Sequence, residues 1–395
     1  MRLFCRFGVN ALPSAKFMRI GLNLLYLIPG RSGGTETYGR SLIHALSTID
    51  QQNEYFIFFN RTASQVPVPA ARNFHRVDCA VSAVRSLRYG WEQSVLPLHL
   101  KKLKIDLVHS LGYVMPLMTS CINLVSIPDM NMRAIPEYLP LHKRALLSVL
   151  SFFCTQSARR AQRVITISDF SKREIISGTG VNPDKVVVTH LGPLLKTPKW
   201  NVAPWQTVKE SYALPERYIM AIGGTSRHKN IGRLIEAFRK LKDFYPHTLV
   251  IVGHVPSDID VSAEMARPGM ADRLRCLGYV PEEYLASILA HAELFVLPSL
   301  YEGFGLPVLE AQQAGAPVAC STAGSLPEVA GQGAVYFDPL STESLETAIR
   351  RCLDNPNLLA ELRKQGAENL KRFSWNKTAQ QTLDIYRQAA REQGL

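Results

Sequence analysis

The segment LFVLPSLYEGFGLPVLEAQQAGAPVACS, at 294–321, reads as an apolar run, a loop with two glycines, a helical pattern and a second apolar run. This order of strand, loop, helix and strand is the repeating unit of a parallel α/β sheet. Pro307 fits the first turn of the helix, because its missing N–H would have no partner inside the helix there. The segment therefore predicts a βαβ unit with the loop at the carboxyl end of a strand.

The loop of this unit has the features of an anion-binding site. A helix that begins at 306–307 directs unpaired N–H groups and a partial positive charge towards the loop. Gly303 and Gly305 let the backbone approach an anion closely, because neither residue has a Cβ atom. The unit therefore predicts that a phosphate-bearing ligand binds at the carboxyl ends of the strands.

Two acids, Glu302 and Glu310, flank this anion site. A carboxylate would be repelled by a diphosphate, so both acids should face hydroxyl groups or a developing positive charge. A nucleotide-sugar meets this requirement, because its diphosphate lies between a ribose and a second sugar ring. Taken alone, each acid could be an ordinary surface carboxylate, but its combination with the glycines and the helix start favours function.

A second unit supplies cations for the same ligand. The strand pattern YIMAIGG at 218–224 ends in two glycines, and Gly224 opens the turn that leads to a helical pattern at 230–243. Arg227 and Lys229 lie in this turn, where they could hold a phosphate at a helix N-terminus. Either cation could instead be an ordinary solvated loop residue.

Short strands alternate with helical patterns along the whole chain, which predicts parallel α/β layers. A chain of 395 residues exceeds the usual size of one hydrophobic core. Each half opens with a strand that is followed by a glycine pair, so we expect two Rossmann-like domains that face each other across a cleft. The expected division is a disordered leader at 1–17, a first domain at 18–193, a linker at 194–206, a second domain at 207–374 and a final helix at 375–395.

The individual elements follow from the apolar patterns. In the first half we predict strands near 19–26, 54–60, 105–109, 122–127, 163–167 and 185–190, and helices near 35–48, 91–103, 140–160 and 170–178. Ser171 is the expected N-cap of the last of these helices. In the second half we predict strands at 218–224, 247–253, 294–299 and 317–321, and helices at 230–243, 281–290, 306–315, 341–372 and 375–392.

The excess of positive charge is confined to the first half of the chain. Residues 1–190 hold 23 Lys and Arg against 11 Asp and Glu, whereas residues 191–395 hold 22 of each. Such a distribution favours a polyanionic partner, either nucleic acid, an anionic membrane surface or a phosphorylated acceptor, although a merely soluble basic surface is the alternative. Seven scattered cysteines without a CxxC pair indicate buried thiols in a reducing compartment, and the longest apolar run, at 145–154, is too short to span a bilayer.

Three motifs together resemble the retaining glycosyltransferases of family 4, which have the GT-B fold: EGFGLPVLE at 302–310, the GG…K-N turn at 223–230 and GGTETYG at 33–39. The resemblance extends from Met18 to the C-terminus. It implies transfer of a sugar from a nucleotide donor with retention of anomeric configuration, without a metal ion. It also implies that the final helix crosses back to the first domain. The DID triplet at 258–260 matches the letters of a metal-binding motif of another glycosyltransferase fold, but its context indicates a solvated loop.

The resemblance assigns a role to most of the residues above. Glu302 would contact the donor sugar near the reaction centre, Glu310 would bind the ribose hydroxyls, and Arg227 and Lys229 would neutralise the departing diphosphate. Further donor contacts would come from the loop and from the backbone that holds the nucleobase, at Gly224, Gly278, Tyr279, Val280, Gly303, Phe304, Gly305 and Leu306. In the first domain, the expected cleft residues are Gly33, Gly34, His109, Asp129, Asn131 and Arg133. Many relatives carry His-Asp where this chain has Pro128-Asp129, so a histidine-based role is not expected there.

We therefore expect a retaining hexosyltransferase that binds its acceptor, a glycan or a lipid-linked glycan, with the first domain and its nucleotide-sugar with the second. GDP-mannose is the favoured donor, no cofactor is expected, and the basic first domain should dock on an anionic membrane. The protein should be cytoplasmic, with peripheral attachment to the inner face of the plasma membrane. A non-catalytic GT-B-like protein that uses its basic half for nucleic acid or membrane is the alternative, but no nucleic-acid motif is present, so we expect no such ligand. A dehydrogenase is disfavoured because neither half has G-x-G-x-x-G after its first strand.

Overall fold

The computed structural model describes residues 17–30, 33–131, 141–194 and 204–395. Within these ranges the chain forms two parallel sheets, one from each half. The strands of the first sheet are β1 Arg19–Asn23, β2 Glu54–Phe59, β3 Phe74–Asp78, β4 Leu107–Ser110, β5 Ile122–Ser126, β6 Arg163–Thr166 and β7 Val186–Val188. Those of the second are β8 Tyr218–Ile222, β9 Thr248–Val252, β10 Leu274–Gly278, β11 Leu294–Leu297, β12 Val318–Ser321 and β13 Ala334–Phe337.

Both sheets are doubly wound. Successive strands are added on one side of the first strand, and the later strands are then added on its other side. The first sheet runs β3-β2-β1-β4-β5-β6-β7 and the second runs β10-β9-β8-β11-β12-β13. Ligands of such sheets bind beyond the carboxyl ends of the strands at the reversal point. In the second sheet this point lies between β8 and β11, the strands that precede the Lys229 turn and the Glu302 loop.

The helices cover both faces of the sheets. Those of the first half are α1 Gly34–Ile49, α2 Arg85–Ser94, α3 Leu96–Lys102, α4 Leu141–Arg160 and α5 Asp169–Thr179. Those of the second half are α6 Trp205–Ser211, α7 Ile231–Leu241, α8 Val261–Met265, α9 Glu282–His291, α10 Leu306–Gln313, α11 Leu326–Ala330, α12 Thr342–Leu353, α13 Pro356–Leu370 and α14 Trp375–Glu392. Alternate residues of β2 enter different cores, because Tyr55 and Ile57 pack on one side and Phe56 and Phe58 on the other.

The predicted α/β class is confirmed, and so is the return of the final helix to the first half. Helix α14 packs against α1, and its Tyr386 is fully buried in the core of the first sheet. Trp375, the first residue of α14, donates a hydrogen bond to the carbonyl of Pro193 at 3.2 Å. The C-terminal segment therefore belongs to the core of the first half, although it follows the second half in the chain.

Three strands escaped prediction, and two predicted helices are each two helices. The helix predicted at 341–372 is α12 and α13, with Pro356 in the first turn of α13. Strands β3, β10 and β13 are edge strands of their sheets, and the first two alternate too little between apolar and polar residues to give a period-two signal. The single helix predicted at 91–103 is two helices, α2 and α3, which meet at Val95. Pro97 in the first turn of α3 explains the break, because proline cannot donate the hydrogen bond that would continue α2.

Several predictions fall outside the described residues. The leader at 1–16, the segment 132–140 with Arg133, and residues 195–203 of the predicted linker belong to this group. At the end of the linker, helix α6 already begins at Trp205. Among the described residues, none of the helices combines the length and the apolar character that a bilayer crossing requires.

His109 at the end of β4 was expected in the cleft, and the structure corrects this expectation. The ring is fully buried, Nδ1 lies 2.7 Å from the hydroxyl of Tyr386, and Nε2 lies 2.8 Å from Oγ of Ser126. Burial lowers the pKa of His109 to about 3, so the imidazole is neutral at physiological pH. Because both ring nitrogens are engaged inside the core, His109 joins α14 to the first sheet and presents no surface to a ligand.

Candidate functional site

The Glu302 loop connects β11 to α10 at the carboxyl edge of the second sheet. The Oε1 atom of Glu302 accepts hydrogen bonds from Nζ of Lys229 at 2.7 Å and from Oγ of Ser299 at 2.7 Å. The side chains of Lys229 and Glu302 are only 18% and 12% exposed. Two residues that the sequence predicted for one site therefore form a largely enclosed ion pair, since β8 and β11 are neighbours in the sheet.

The electrostatic balance at Glu302 favours its ionised form. Burial raises the pKa of Glu302, but the charge of Lys229 and the hydrogen bonds from Lys229 and Ser299 bring it below its ordinary value. The pKa of the adjacent His228 is lowered by burial and by the charge of Lys229, so His228 adds little positive charge at neutral pH. The site thus holds one carboxylate that is balanced by one ammonium group.

The start of α10 presents unpaired backbone donors beside this ion pair. Gly305 caps the helix with φ of 95°, a left-handed conformation that favours glycine. A Cβ atom at Gly305 would also lie 2.5 Å from Leu326, so the residue is fixed by packing as well as by its backbone angle. Within the part of the chain that the structure describes, the amides of residues 303–306 donate no hydrogen bond to the protein. They form an anion-binding helix N-terminus.

Glu310 lies one turn into α10 and is 8% exposed. Burial, and then the charge of Glu282 at the start of α9, raise the pKa of Glu310 to about 7, although Lys229 opposes the shift. Among the described residues, the carboxylate of Glu310 has no hydrogen-bond donor within reach. Because Glu282 is the first residue of α9 and lies close enough to affect Glu310, the loop before α9 is on the same side of the site.

That loop, 278–280, was predicted to hold a nucleobase. Gly278 has φ of 66°, and no described atom lies within 4 Å of the position where its Cβ would be. Its carbonyl accepts a hydrogen bond from the amide of Gly253 at 2.7 Å. Tyr279 is 77% exposed, whereas Val280 packs into the core beneath. The segment therefore offers backbone and one aromatic ring to a ligand, and its role with a nucleobase stays a prediction.

Arg227 lies at the outer rim of the site. Its Nε atom is 3.0 Å from Oδ2 of Asp258, and both side chains are about half exposed, at 54% and 44%. Asp260, two residues further on, caps α8 by accepting a hydrogen bond from the amide of Ala263 at 3.0 Å. The DID triplet is thus an exposed loop and helix cap, as its sequence context indicated.

Two of the predicted donor contacts do not face the site with their side chains. Phe304 is 3% exposed and stacks edge-on against Phe373 in the first core, with ring centroids 5.9 Å apart. Leu306 packs against the same core. The side chains of Phe304 and Leu306 therefore anchor the loop, and their amides remain available to a ligand, which is the role predicted for Leu306.

The glycine pair of the first half lies at the start of α1. Gly33 has φ of 52° and caps the helix, while Gly34 is its first residue. No described atom lies within 4 Å of the position that a Cβ would take at either glycine. The backbone is open to a ligand here, as the sequence predicted, but nothing in the fold itself assigns one.

Asp129 reaches the Glu302 loop from the first half. A Cβ atom added to Gly303 would lie 2.7 Å from Cβ of Asp129, so only glycine permits this approach. Oδ1 of Asp129 accepts hydrogen bonds from the hydroxyl of Tyr113 at 3.0 Å and from the amide of Asn131 at 3.1 Å. Burial raises the pKa of Asp129, and Glu302 adds to the shift although Tyr113 and Asn131 oppose it. Asp129 therefore lies at the junction of the two halves, near the ion pair.

The residues that support the Glu302 loop from behind were not predicted from the sequence. Ser325 donates from its amide and its hydroxyl to the carbonyl of Glu302, at 3.1 and 3.0 Å. Gly324 has φ of 63°, and a Cβ there would lie 2.3 Å from the same carbonyl. The AGS turn at 323–325 was the only available signal, and a short turn of this composition is too common to indicate such a contact.

A further group, Asp169, His190 and Glu328, has donor atoms within 4.8 Å of one another. Nε2 of His190 lies 2.7 Å from Oε1 of Glu328, while the amides of Asp169 and Phe170 donate to the two Glu328 oxygens at 2.8 and 3.2 Å. Both oxygens of Glu328 are therefore occupied at a helix N-terminus, whose partial positive charge disfavours a cation.

Family models match both halves of the chain. The model for glycosyl transferases group 1 matches residues 206–369, and the model for Glycosyltransferase Family 4 matches residues 32–192. Among curated proteins, the O-antigen chain mannosyltransferase B of Escherichia coli is 32% identical over 265 residues, which cover 66% of this chain and 68% of the relative. The MMP alpha-(1->4)-mannosyltransferase of Mycolicibacterium hassiacum is 30% identical over 59% of this chain and 55% of its own length. The serotype-specific mannosyltransferase WbdA of Escherichia coli is 28% identical, but the match spans only 28% of its length.

Solved structures share the fold over nearly the whole chain. Sucrose-phosphate synthase from Thermosynechococcus elongatus has a TM-score of 0.72 at 21% identity and covers 94% of this chain and 98% of its own. WaaG, a glycosyltransferase involved in lipopolysaccharide biosynthesis, has a TM-score of 0.71 at 15% identity, with 93% and 99% covered. At these identities the likeness concerns the fold, which is GT-B. With the family models and the mannosyltransferase relatives, it shows that this chain belongs to the family 4, group 1 glycosyltransferases.

Proposed function

We propose that this protein is a retaining mannosyltransferase that transfers mannose from GDP-mannose to a growing glycan on a lipid carrier. One observation carries the donor side of the proposal: the Lys229–Glu302 pair lies beside the unpaired amides at the start of α10. Cationic and amide donors suit a diphosphate, and a fixed carboxylate beside them suits a sugar. The names of the relatives, which are mannosyltransferases of O-antigen and of MMP, support mannose.

In the proposed reaction the bond between C1 of the sugar and the diphosphate oxygen breaks. The acceptor hydroxyl forms the new bond to C1 on the same face, and its proton passes to the departing phosphate. Lys229, Arg227 and the amides of 303–306 stabilise the charge that develops on the leaving group, without a metal or cofactor. Glu302 lies where it can face the positive charge of the sugar ring, and Asp129 approaches the same region from the acceptor side.

A panel of donors tests the proposal directly. GDP-mannose, UDP-glucose, UDP-GlcNAc and dTDP-rhamnose are added separately, and the unfolding temperature is measured. A shift of several degrees with GDP-mannose alone is expected, because a ligand that binds only the folded state stabilises it. Stabilisation by another donor alone would replace mannose with that sugar, and no shift with any donor would contradict a donor site in the second half.

The surface of the first half supports a membrane partner. Large apolar side chains are exposed just before and on α2, on α3 and α4 and in the loop after β4, namely Val84, Leu87, Leu98, Met118, Val149 and Phe152. The rings of Tyr89 and Phe153, 5.4 Å apart, join α2 to α4 beneath this surface. Exposed lysines at the end of α3 add positive charge. We propose that this face docks on the anionic inner surface of the plasma membrane, which would make the protein cytoplasmic and peripheral. We also propose that nucleic acid is not a partner of this face.

Replacing Glu302 with Gln should lower kcat by about a hundredfold, because the carboxylate that faces the developing charge is lost while its size is kept. The Kd for GDP should stay within about twofold of the wild-type value, since the amide oxygen of glutamine can still accept a hydrogen bond from Lys229. Steady-state kinetics and calorimetry measure the two quantities. Glu361→Gln, on the exposed face of α13, is the matched control and should behave as wild type. Equal kcat values for Glu302→Gln and the control would show that the Glu302 carboxylate does not take part in the reaction.

The affinity for GDP should rise as the pH increases from 6 to 8. The pKa of Glu310 is raised to about 7, so the carboxyl is mostly protonated at pH 6 and mostly ionised at pH 8. The ionised form is the better acceptor for two ribose hydroxyls, and the gain across this range should approach about tenfold. Glu310→Gln should abolish the contribution of Glu310 to the pH dependence of GDP affinity. The contribution from titration of the GDP phosphate should remain. Identical pH profiles for the two proteins would exclude Glu310 as the ribose ligand.

The docking proposal predicts that the protein sediments with vesicles that contain anionic lipid and is released by high salt. Lys101→Glu together with Lys102→Glu should weaken sedimentation several-fold, because two positive charges at the end of α3 are reversed. Lys364→Glu with Lys371→Glu, on the second half, is the matched control. Binding to neutral vesicles that equals binding to anionic vesicles would contradict the electrostatic part of the proposal.

A further inference from the structure

The Glu302 loop belongs to the second half, yet the first half holds its main chain. The carbonyl of Gly303 accepts hydrogen bonds from the hydroxyls of Ser168 and Ser171, at 2.7 and 3.2 Å. Both serines are fully buried at the start of α5. We call these two residues the serine clamp. Ser171 was the predicted cap of α5, but Ser168 is the cap. Its Oγ accepts a hydrogen bond from the amide of Ser171 at 3.0 Å.

The residue before Glu302 is held by the first half as well. The hydroxyl of Tyr301 donates to the carboxylate of Glu174 on α5 and accepts a hydrogen bond from the amide of Met130 at 3.1 Å. Its ring packs edge-on against Phe170, with centroids 5.7 Å apart. Residues on both sides of Glu302 are thus fixed by groups that lie in the other half of the molecule.

The second half also forms hydrogen bonds to the start of α5. The Glu328 carboxylate, on α11, accepts the amides of Asp169 and Phe170 at 2.8 and 3.2 Å. Hydrogen bonds therefore run in both directions across the junction, and each uses a group that would otherwise be unpaired. The start of α5 and the Glu302 loop are joined as one unit whenever the two halves are together.

Peptide geometry connects this junction to the binding of a donor. In a planar trans peptide the C=O of one residue and the N–H of the next point in opposite directions. The clamp fixes the carbonyl of Gly303 and so sets the direction of the Phe304 amide. Ser325 fixes the carbonyl of Glu302 in the same manner and so sets the direction of the Gly303 amide. The serine clamp and Ser325 therefore set the directions in which the unpaired amides of Phe304 and Gly303 point.

We propose that Ser168 and Ser171 are positioning residues for sugar transfer. They fix the carbonyl of Gly303 and so orient the Phe304 amide towards the donor diphosphate, and they hold the Glu302 loop in place, so that the donor site takes its active shape only when the first half lies against the second. This inference rests on the proposed function, because it assigns the loop to a nucleotide-sugar. It also explains why a helix of the acceptor half carries two buried hydroxyl groups at its start.

The test uses Ser171→Ala, which removes one clamp hydrogen bond and leaves the Ser168 cap in place. We expect the hydrogen-bonded amides that hold the loop, those of Leu300 and Ser325, to exchange with deuterium about fivefold faster, the change expected for one neutral hydrogen bond. The Kd for GDP should rise by a similar factor, and kcat at saturating donor should fall. Ser168→Ala should lose more than Ser171→Ala because the cap of α5 is lost too.

Ser177→Ala is the matched control, since Ser177 lies on the exposed face of the same helix and bonds only to the carbonyl of Glu174. Wild-type exchange, GDP affinity and kcat in Ser171→Ala would overturn the proposal. A Ser171→Ala variant that matches Ser177→Ala in exchange but loses stability would overturn it as well, because the serine would then be purely structural. If the wild-type protein transfers no sugar from any donor, the proposed function fails, whereas the exchange experiment still decides whether the clamp holds the loop.

Discussion

The enclosed ion pair of Lys229 and Glu302 is the constraint on which the site depends. Each charge would be costly to bury alone, so the two residues stabilise each other at this position. The pair is brought together by two turns that follow adjacent strands of the second sheet, and this requires the doubly wound strand order. A diphosphate that approached Lys229 would compete with Glu302 for the same ammonium group. The pair therefore links phosphate binding to the freedom of the carboxylate.

The shape of the surrounding loop depends on glycines that serve different purposes. Gly305 adopts a left-handed conformation that starts α10, Gly303 allows Asp129 to approach, and Gly324 makes room for the carbonyl of Glu302. Replacement of any of them by a larger residue would move the loop and not merely crowd it. The apolar residues of the same motif, Phe304 and Leu306, anchor the loop in the core of the first half. The motif thus joins the two halves in addition to forming the proposed donor site.

The sequence predicted the fold and the centre of the site because both rest on local patterns. Alternating strands and helices, glycine pairs and the helix start at Pro307 are visible within a few residues of one another. The edge strands β3 and β10 gave no signal, because their sequences, FHRVD and LRCLG, neither alternate strictly nor form a continuous apolar run. The role of His109 was mistaken because its partner Tyr386 is 277 residues away in the chain. Ser168 and Ser325 were overlooked for the same reason, and Ser171 was predicted only as a helix cap, because the distant partner of a serine cannot be recognised before the fold is known.

The most direct measurement compares the affinities of GDP and GMP for the wild-type protein and for Lys229→Ala by calorimetry. The account predicts that wild type binds GDP at least about tenfold more tightly than GMP, because Lys229 and the amides of 303–306 contact the second phosphate. In Lys229→Ala most of this preference should disappear, while the affinity for GMP changes little. A wild-type protein that binds both nucleotides equally, or a variant that keeps the full preference for GDP, would contradict the assignment of this loop and its lysine to the diphosphate.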